Sequence, residues 1–266
     1  TFLTGAPTAG TLLHITKGRA GNLWFADGGN RSHIGRITPE GAVTEFSTPT
    51  PGAGPISITT GPDGNLWFTE ASGNGVARIT PTGVVTEFRS GIGGASWPWG
   101  IAAAPCGSGS GDCLWFTEQY GDKVGQITTA GTVTEVPVTG GSDPIAITAG
   151  PCGDGSACLW FSEYSLHRIG KLTTGGLLTE TSLASGSIPY GITAGPDGSI
   201  WFVEQGRDRV GKIDPSTGQL TEYPVTPGSQ PMGIAAGPDG ALWFTENAGD
   251  RIGRIKMDFG SIINFA

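Results

Sequence analysis

The 266 residues carry 15 Lys and Arg against 23 Asp and Glu, a formal charge of −8, and so lack the basic face that nucleic-acid binding needs. No apolar run approaches the length of a membrane span and no basic-then-apolar leader opens the chain, so a mature soluble protein is expected. Gly 47 and Pro 19 make about a quarter of the sequence, a level that signals disorder unless a period accompanies it; here there is a period, and eight tryptophans with it.

Residues 1–10 precede the first repeat, and a short strand at Phe2-Leu3 is expected to pair with the edge of the last one. A Leu/Ile-Trp-Phe triplet then recurs six times, at Leu23-Trp24-Phe25, Leu66-Trp67-Phe68, Leu114-Trp115-Phe116, Leu159-Trp160-Phe161, Ile200-Trp201-Phe202 and Leu242-Trp243-Phe244. The tryptophans are 43, 48, 45, 41 and 42 residues apart, the period of propeller blades. In the second copy, turn residues cut the unit into four strand-length runs: 55–60, 65–70, 75–80 and 84–89. Gly61-Pro62-Asp63-Gly64 and Pro81-Thr82-Gly83 supply the fixed or positive φ of the turns, and Val85-Thr86-Glu87-Phe88 alternates with a period of two. No long run has a period of 3.6. The sequence therefore predicts an all-β, six-bladed β-propeller with four antiparallel strands per blade. It forms a single domain over 1–266, with blades at about 11–48, 53–90, 96–138, 142–183, 187–225 and 229–265. A seventh blade would need about 40 more residues. Ser261 to Phe265 aligns with Val84 to Phe88, so the sixth blade can complete itself.

The cysteines fall in two pairs, Cys106 with Cys113 and Cys152 with Cys158, each flanking a Gly/Ser-rich loop that replaces Gly-Pro-Asp-Gly. Cysteines facing each other across a hairpin suit disulfides, whereas a zinc site wants Cys-x-x-Cys spacing and further ligands. Two disulfides imply an oxidising compartment and a secreted protein. Asn30-Arg31-Ser32 is a glycosylation sequon.

In a four-stranded meander, the start of the first strand and the end of the second share one face, termed the top, and the predicted disulfides lie at the other. The pattern Leu-Trp-Phe-Thr-Glu, then Arg251-Ile252-Gly253-Arg254-Ile255, then Thr86-Glu87-Phe88 resembles the streptogramin (virginiamycin B) lyase family across nearly the whole chain. The resemblance implies a seven-bladed propeller that opens a cyclic depsipeptide lactone by elimination, with magnesium, histidines and glutamates on the top face. This chain departs from it twice. It shows six copies, and the family's Pro-His-Gly/Ala-Ile motif reads Pro98-Trp99-Gly100-Ile101, Pro144-Ile145-Ala146-Ile147, Pro189-Tyr190-Gly191-Ile192 and Pro231-Met232-Gly233-Ile234. Streptogramin lyase activity is therefore not expected.

The acids Asp27, Glu70, Glu118, Glu163, Glu204 and Glu246 close the second strand of every blade. A ring of them could hold a divalent cation, Mg or Ca, at the channel mouth, but presence in all copies is better explained by architecture, through pairing with backbone or with bases such as Arg209 and Arg251. Rim positions Leu13, Ile56, Trp99, Ile145, Tyr190 and Met232 form a mostly apolar ring that either fills the channel or receives a ligand. Aromatics cluster on blades three to five: Trp97, Trp99, Tyr120, Tyr164 and Tyr190, against Gly28, Ala71 and Asn247 elsewhere. His167 stands where other blades have Asp122, Asp208 and Asp250, and reads either as a solvated loop residue or as a base. His14 aligns with Ser57 and Gly233 and reads as a packed or capping residue, and His33 as a substitute for the charge of Arg251. No metal triad of histidines, Gly-x-Ser-x-Gly elbow or P-loop is present.

Two functions follow. The first is a secreted, monomeric propeller that binds a glycan or small amphipathic ligand through Trp97, Trp99, Tyr120, Glu118, Glu163, Glu204 and Met232, with no nucleic-acid or membrane partner. The second is a lyase acting on a polysaccharide or lactone, with His167, Tyr164 or Tyr190 as base.

Overall fold

The computed structural model describes residues 11–29, 31–107, 111–257 and 262–265. Asn30 of the sequon, the Phe2-Leu3 segment and Ser261 lie outside them. The protein is a six-bladed β-propeller: six four-stranded antiparallel sheets, each a meander in sequence order, over 12–47, 55–88, 98–137, 144–182, 189–224 and 231–265. Among the described residues helix is confined to two three-residue turns, Arg19–Gly21 and Gln205–Arg207. In the sixth blade Ile262–Phe265 pairs with Arg251–Ile255, so that blade is completed by its own fourth strand. The chain divides into two compact units, residues 1–137 with blades one to three and residues 138–266 with blades four to six.

Blade two shows why the repeat folds as it does. Its strands are Pro55–Thr60, Leu66–Glu70, Gly75–Ile79 and Val85–Phe88. Between the first two, Gly64 takes φ 76°, which a side chain would resist, and Asp63 Oδ1 accepts from the Asn65 amide at 3.1 Å and from Trp67 Nε1 at 3.0 Å. Asp197 with Trp201 and Asp239 with Trp243 repeat the clasp in blades five and six. In blades three and four no aspartate takes the indole among the described residues; in blade four Asp154 keeps only the turn bond, from the Ser156 amide at 2.9 Å. There the indoles of Trp115 and Trp160 donate to Pro105 O and Pro151 O, and the expected disulfides, Cys106–Cys113 and Cys152–Cys158, close the hairpins with Cα atoms 5.0 and 5.1 Å apart.

Within each unit, the triplet tryptophan of a blade packs against the next blade. In the first unit Trp24, Ala26 and Ile34 of blade one are buried against Ile58, Leu66, Phe68, Ala77 and Ile79 of blade two. Blade two repeats this with Trp67 and Val76 on Ile101, Leu114, Phe116 and Ile127 of blade three. In the second unit Trp160 and Ile169 pack on Ile192, Ile200, Phe202 and Ile213, and Trp201, Val203 and Val210 on Leu242, Phe244 and Ile255. Each fully buried Ile, Leu or Phe stabilises the contact by about 1.5–3 kcal/mol.

Candidate functional site

The first strand of each blade starts with an irregularity that sets the geometry of the loop end. The register shifts between Pro55 and Ile58, and the freed Ser57 amide donates to Thr69 Oγ1 on the second strand at 3.1 Å. The Gly100, Ala146 and Gly233 amides do the same to Thr117, Ser162 and Thr245. The same hydroxyl reaches into the next blade: Thr69 Oγ1 donates to Trp99 O at 2.6 Å, and Ser162 Oγ to Tyr190 O at 2.7 Å. Two of the predicted rim residues are therefore fixed through their main chain, leaving their rings half-buried.

The residue before each proline is left-handed: Gly54 (φ 66°), Trp97 (56°), Asp143 (49°), Ile188 (50°) and Gln230 (50°). A position two residues beyond the end of the second strand faces it. A Cβ on Gly54 would stand 2.9 Å from Ser72 Oγ, the Trp97 ring meets Tyr120 at a tilt, Asp143 meets the Ser165 hydroxyl, and a Cβ on Gly206 would stand 2.9 Å from Ile188 Cδ1. These facing pairs change chemistry from blade to blade on a constant frame. Sequence reading singled out Trp97 and Tyr120 but missed the pairing; its signal is the recurrent x-Pro step read together with the second residue after the conserved acid.

Blade three carries the aromatic version. The ring centroids of Trp97 and Tyr120 are 5.7 Å apart at 39°, and Tyr120 is 62% exposed. A bulky residue at positive φ costs on the order of 1–3 kcal/mol, so its backbone must be held. The Ser96 and Trp97 amides donate to Asn74 Oδ1 at 2.7 and 3.2 Å, and Trp97 O and Ser96 O accept from the Gln119 and Tyr120 amides at 3.2 and 3.0 Å.

In the second unit Tyr164 and Tyr190 meet edge to face with centroids 6.4 Å apart, and burial, then the neighbouring Tyr164, raise the Tyr190 phenol. Tyr164 directly follows the conserved acid, so it occupies the place of Gln119, not of Tyr120. His167 is left-handed (φ 54°), as are Asn74, Asp122, Asp208 and Asp250 at the same turn. Its Nδ1 accepts from the Ile188 amide at 3.2 Å, the task Asn74 Oδ1 performs for Ser96 and Trp97 and Asp208 performs for Gly228 and Gln230. The imidazole is thus a turn cap by this nitrogen. Met232 is half-buried, and its carbonyl lies 2.5 Å from where a Cβ on Gly191 would stand. His14 Nδ1 bonds Ile58 O at 3.1 Å, a capping role, while His33 Nε2 meets the Ser47 hydroxyl.

The six acids that end the second strands are all buried. Bases on the third strand turn to the half-buried glutamate of the fourth: Lys123 to Glu135 (2.5 Å), Arg168 to Glu180 (2.6 Å) and Arg209 to Glu222 (2.9 Å). Arg209 is thus committed to Glu222. In blade six Asn264 takes the place of that glutamate, and Arg251 pairs with Glu246 at 3.3 Å. In blade two Gly75 stands where the base would be, and Arg89 spans Glu70 (3.4 Å) and Glu87 (3.0 Å). Burial, reinforced by Glu87 and opposed by Arg89, pushes Glu70 up to about 8. Burial pushes Glu118 up to about 7, with the Ser96 hydroxyl opposing and Glu135 reinforcing, and raises Glu204 against the Ser187 hydroxyl. Glu163 is buried beside Glu180.

A magnesium ion, which the family resemblance implies, does not fit these residues. No three His, Cys, Asp or Glu side chains converge as a ligand set among the described residues, and Ile145, Tyr190 and Met232 occupy the motif's histidine positions. None of the described helices is long and apolar enough to cross a membrane.

The model of the virginiamycin B lyase family matches residues 2–155 and 152–266. Among solved structures, virginiamycin B lyase from Staphylococcus aureus is 35% identical over 96% of this chain and 83% of its own, with TM-score 0.86. A streptogramin B lyase is 33% identical over 98% and 84%, with TM-score 0.88. A catalytically inactive histidine-to-alanine variant of the S. aureus enzyme, solved with quinupristin, is 34% identical over 98% and 86%, with TM-score 0.89. Hydrazine synthase from Kuenenia stuttgartiensis, 17% identical with TM-score 0.74, shares the fold alone. No curated protein sequence matches.

Proposed function

Since this chain belongs to the virginiamycin B lyase family, we propose that it keeps the family's ligand-facing loop end and uses it for binding. The observation that carries this reading is Trp97, held left-handed by Asn74 and in tilted ring contact with an exposed Tyr120 where blade two has Gly54 and Ser72. A fold that maintains a strained, half-exposed tryptophan where glycine would cost nothing has a use for its ring, and such strain gathers at ligand sites. Flat rings suit the apolar face of a sugar or a small amphipathic ligand, with Glu118 buried beneath the loop end and not itself presented to the ligand. Trp99 offers a third ring on the same blade. The two disulfides support secretion.

Titration of the protein with a glycan panel and with quinupristin tests this. Tyr120→Ala should weaken the best ligand about fivefold, while Ser72→Ala leaves it unchanged. Equal affinity in both variants would remove blade three from the reading.

Family membership favours a second reading, a lyase acting on a lactone or polysaccharide, with Tyr190, Tyr164 or His167 as base. The residues at the motif positions argue against the family's own reaction, since isoleucine and methionine cannot take a proton. Virginiamycin B incubated with the purified protein should stay cyclic by mass spectrometry. Its linearisation would establish the lyase.

A further inference from the structure

The segment that carries Trp97 runs over a cluster of ionisable groups. It spans nine residues, 89–97, between the last strand of blade two and the first of blade three, where the connections at 48–54, 183–188 and 225–230 have seven, six and six. Gly91, Gly93 and Gly94 lie in it, so its backbone is free to rearrange. Blade three ties it down at two places. Glu135 Oε1 on the fourth strand accepts from the Gly93 amide at 2.6 Å while Lys123 pairs with Oε2, and the Ser96 hydroxyl donates to Gly93 O at 2.8 Å, closing the turn that ends in Trp97.

Glu118 lies beside this turn. It is fully buried, and among the described residues neither of its oxygens receives a hydrogen bond. A Cβ on Gly121 would stand 2.9 Å from Glu118 Oε2 and 3.0 Å from Ser96 Oγ, so the two oxygens border one gap. A neutral carboxyl tolerates that arrangement, whereas a buried carboxylate must have donors. Two are at hand, the Ser96 hydroxyl and the Lys123 ammonium, and both are engaged elsewhere. Glu135 from the fourth strand and Lys123 from the third are the charged groups facing Glu118. The first strand, Pro98–Pro105, has no titratable side chain, and the turn after Glu118 carries Tyr120 and Asp122. Arg89, at the start of the connection, is turned to Glu70 and Glu87 of blade two. Blade six shows that the base of this frame can take the inner acid instead of the outer one: with Asn264 in place of the outer glutamate, Arg251 pairs with Glu246.

We propose that ionisation of Glu118 switches the segment carrying Trp97: the Ser96 hydroxyl turns from Gly93 O to the new carboxylate, Lys123 moves from Glu135 toward it, and the turn that presents the Trp97 ring opens. The proton leaves to solvent. The geometry described above is then the state with Glu118 neutral. Burial, reinforced by Glu135, holds that carboxyl neutral up to about 7, so the change falls near neutral pH. Gating of a ligand by this switch rests on the reading of Trp97 and Tyr120 as its site. On that reading affinity falls as pH rises through the switch, and binding above it takes up a proton.

The switch is tested first without a ligand, by ¹H–¹⁵N spectra of the free protein from pH 5.5 to 8.5. The Gly93 and Trp97 amide signals and the Trp97 indole signal should titrate together, with one midpoint near 7, and stay still in Glu118→Gln. Ser96→Ala, which removes a donor to the carboxylate, should move the midpoint to higher pH. Signals that do not move, or that move equally in Glu118→Gln, overturn the switch. The gating is tested with methyl β-glucoside, methyl N-acetyl-β-glucosaminide and quinupristin at pH 6 and 8.5. The best of them should bind at least about threefold more weakly at pH 8.5, and Glu118→Gln should remove that difference. Affinity independent of pH, with the free-protein signals titrating, overturns the gating. If none of the three binds at either pH while the signals titrate, the ligand reading falls and the switch stands.

Discussion

Blades two and three are built on the same frame in the same unit, yet they finish it by different means. Blade two ends its first hairpin with the Asp63–Trp67 clasp, brings Arg89 beside its buried acid, and has Gly54 facing Ser72 at the loop end. Blade three replaces the clasp with Cys106–Cys113, turns Lys123 to Glu135 instead of the buried Glu118, and sets a strained Trp97 against Tyr120. The structural jobs are done in both, by exchangeable chemistry. The loop-end pair is different in kind, because nothing in the frame requires two aromatic rings there. Where a repeat protein holds its architecture constant, the positions that vary without an architectural reason are where function is to be sought.

The largest effect that would sharpen this comparison concerns the buried acids. Glu70 and Glu118 are pushed up to about 8 and about 7 from an ordinary value of 4.5. The fold therefore favours their protonated forms. Their contribution is fully present below pH 4.5 and is lost as pH rises, through about 7 for Glu118 and about 8 for Glu70, a decline on the order of a few kcal/mol. Urea titrations from pH 4.5 to 8.5 should show Glu118→Gln flattening the lower part of that decline and Glu70→Gln extending the flattening to higher pH. Stability that rises with pH across this window contradicts the assignment.

The hairpin closures come next. Replacing both Cys106 and Cys113 by Ser should cost about 2 kcal/mol, the low end of the usual range because the closed loop is short. Removing the clasp with Asp63→Ala should cost about 1 kcal/mol, through the lost indole bond and turn. Equal losses in urea melts would mean that the two closures are energetically interchangeable. Of similar size, Gly54→Ala should lose about 1 kcal/mol, as its left-handed φ of 66° and the close Ser72 hydroxyl require. An Ala variant as stable as the parent would show that the loop end relaxes easily, and would weaken the case that Trp97 is held under strain.

The blade count, the strands and both disulfides were legible because each rests on a repeated local signal: the Trp-Phe triplet, the Gly-Pro-Asp-Gly turn, two cysteines across one hairpin. The facing pairs were not. Residues 97 and 120 are 23 positions apart in sequence, and their meeting depends on the register shift after Pro98 and on Asn74 from the preceding blade. His167 drew attention as an unusual residue, but its turn position is shared with Asn74 and Asp208, and the three share one capping role. The acids read as architecture from their presence in every blade, but their particular partners could not be read. Whether a base meets the inner or the outer carboxylate depends on a single position of the fourth strand, glutamate in blade five and Asn264 in blade six.

The central claim is that the Trp97–Tyr120 pair receives a ligand and that its counterpart in blade two does not. It is tested most directly by following the indole N–H resonances in a ¹H–¹⁵N spectrum while glycans and quinupristin are titrated. The claim predicts a saturable shift of the Trp97 indole signal, abolished by Tyr120→Ala, with the Trp67 signal unmoved in its clasp with Asp63. A Trp97 signal that stays in place with every ligand, while another indole shifts, would contradict it.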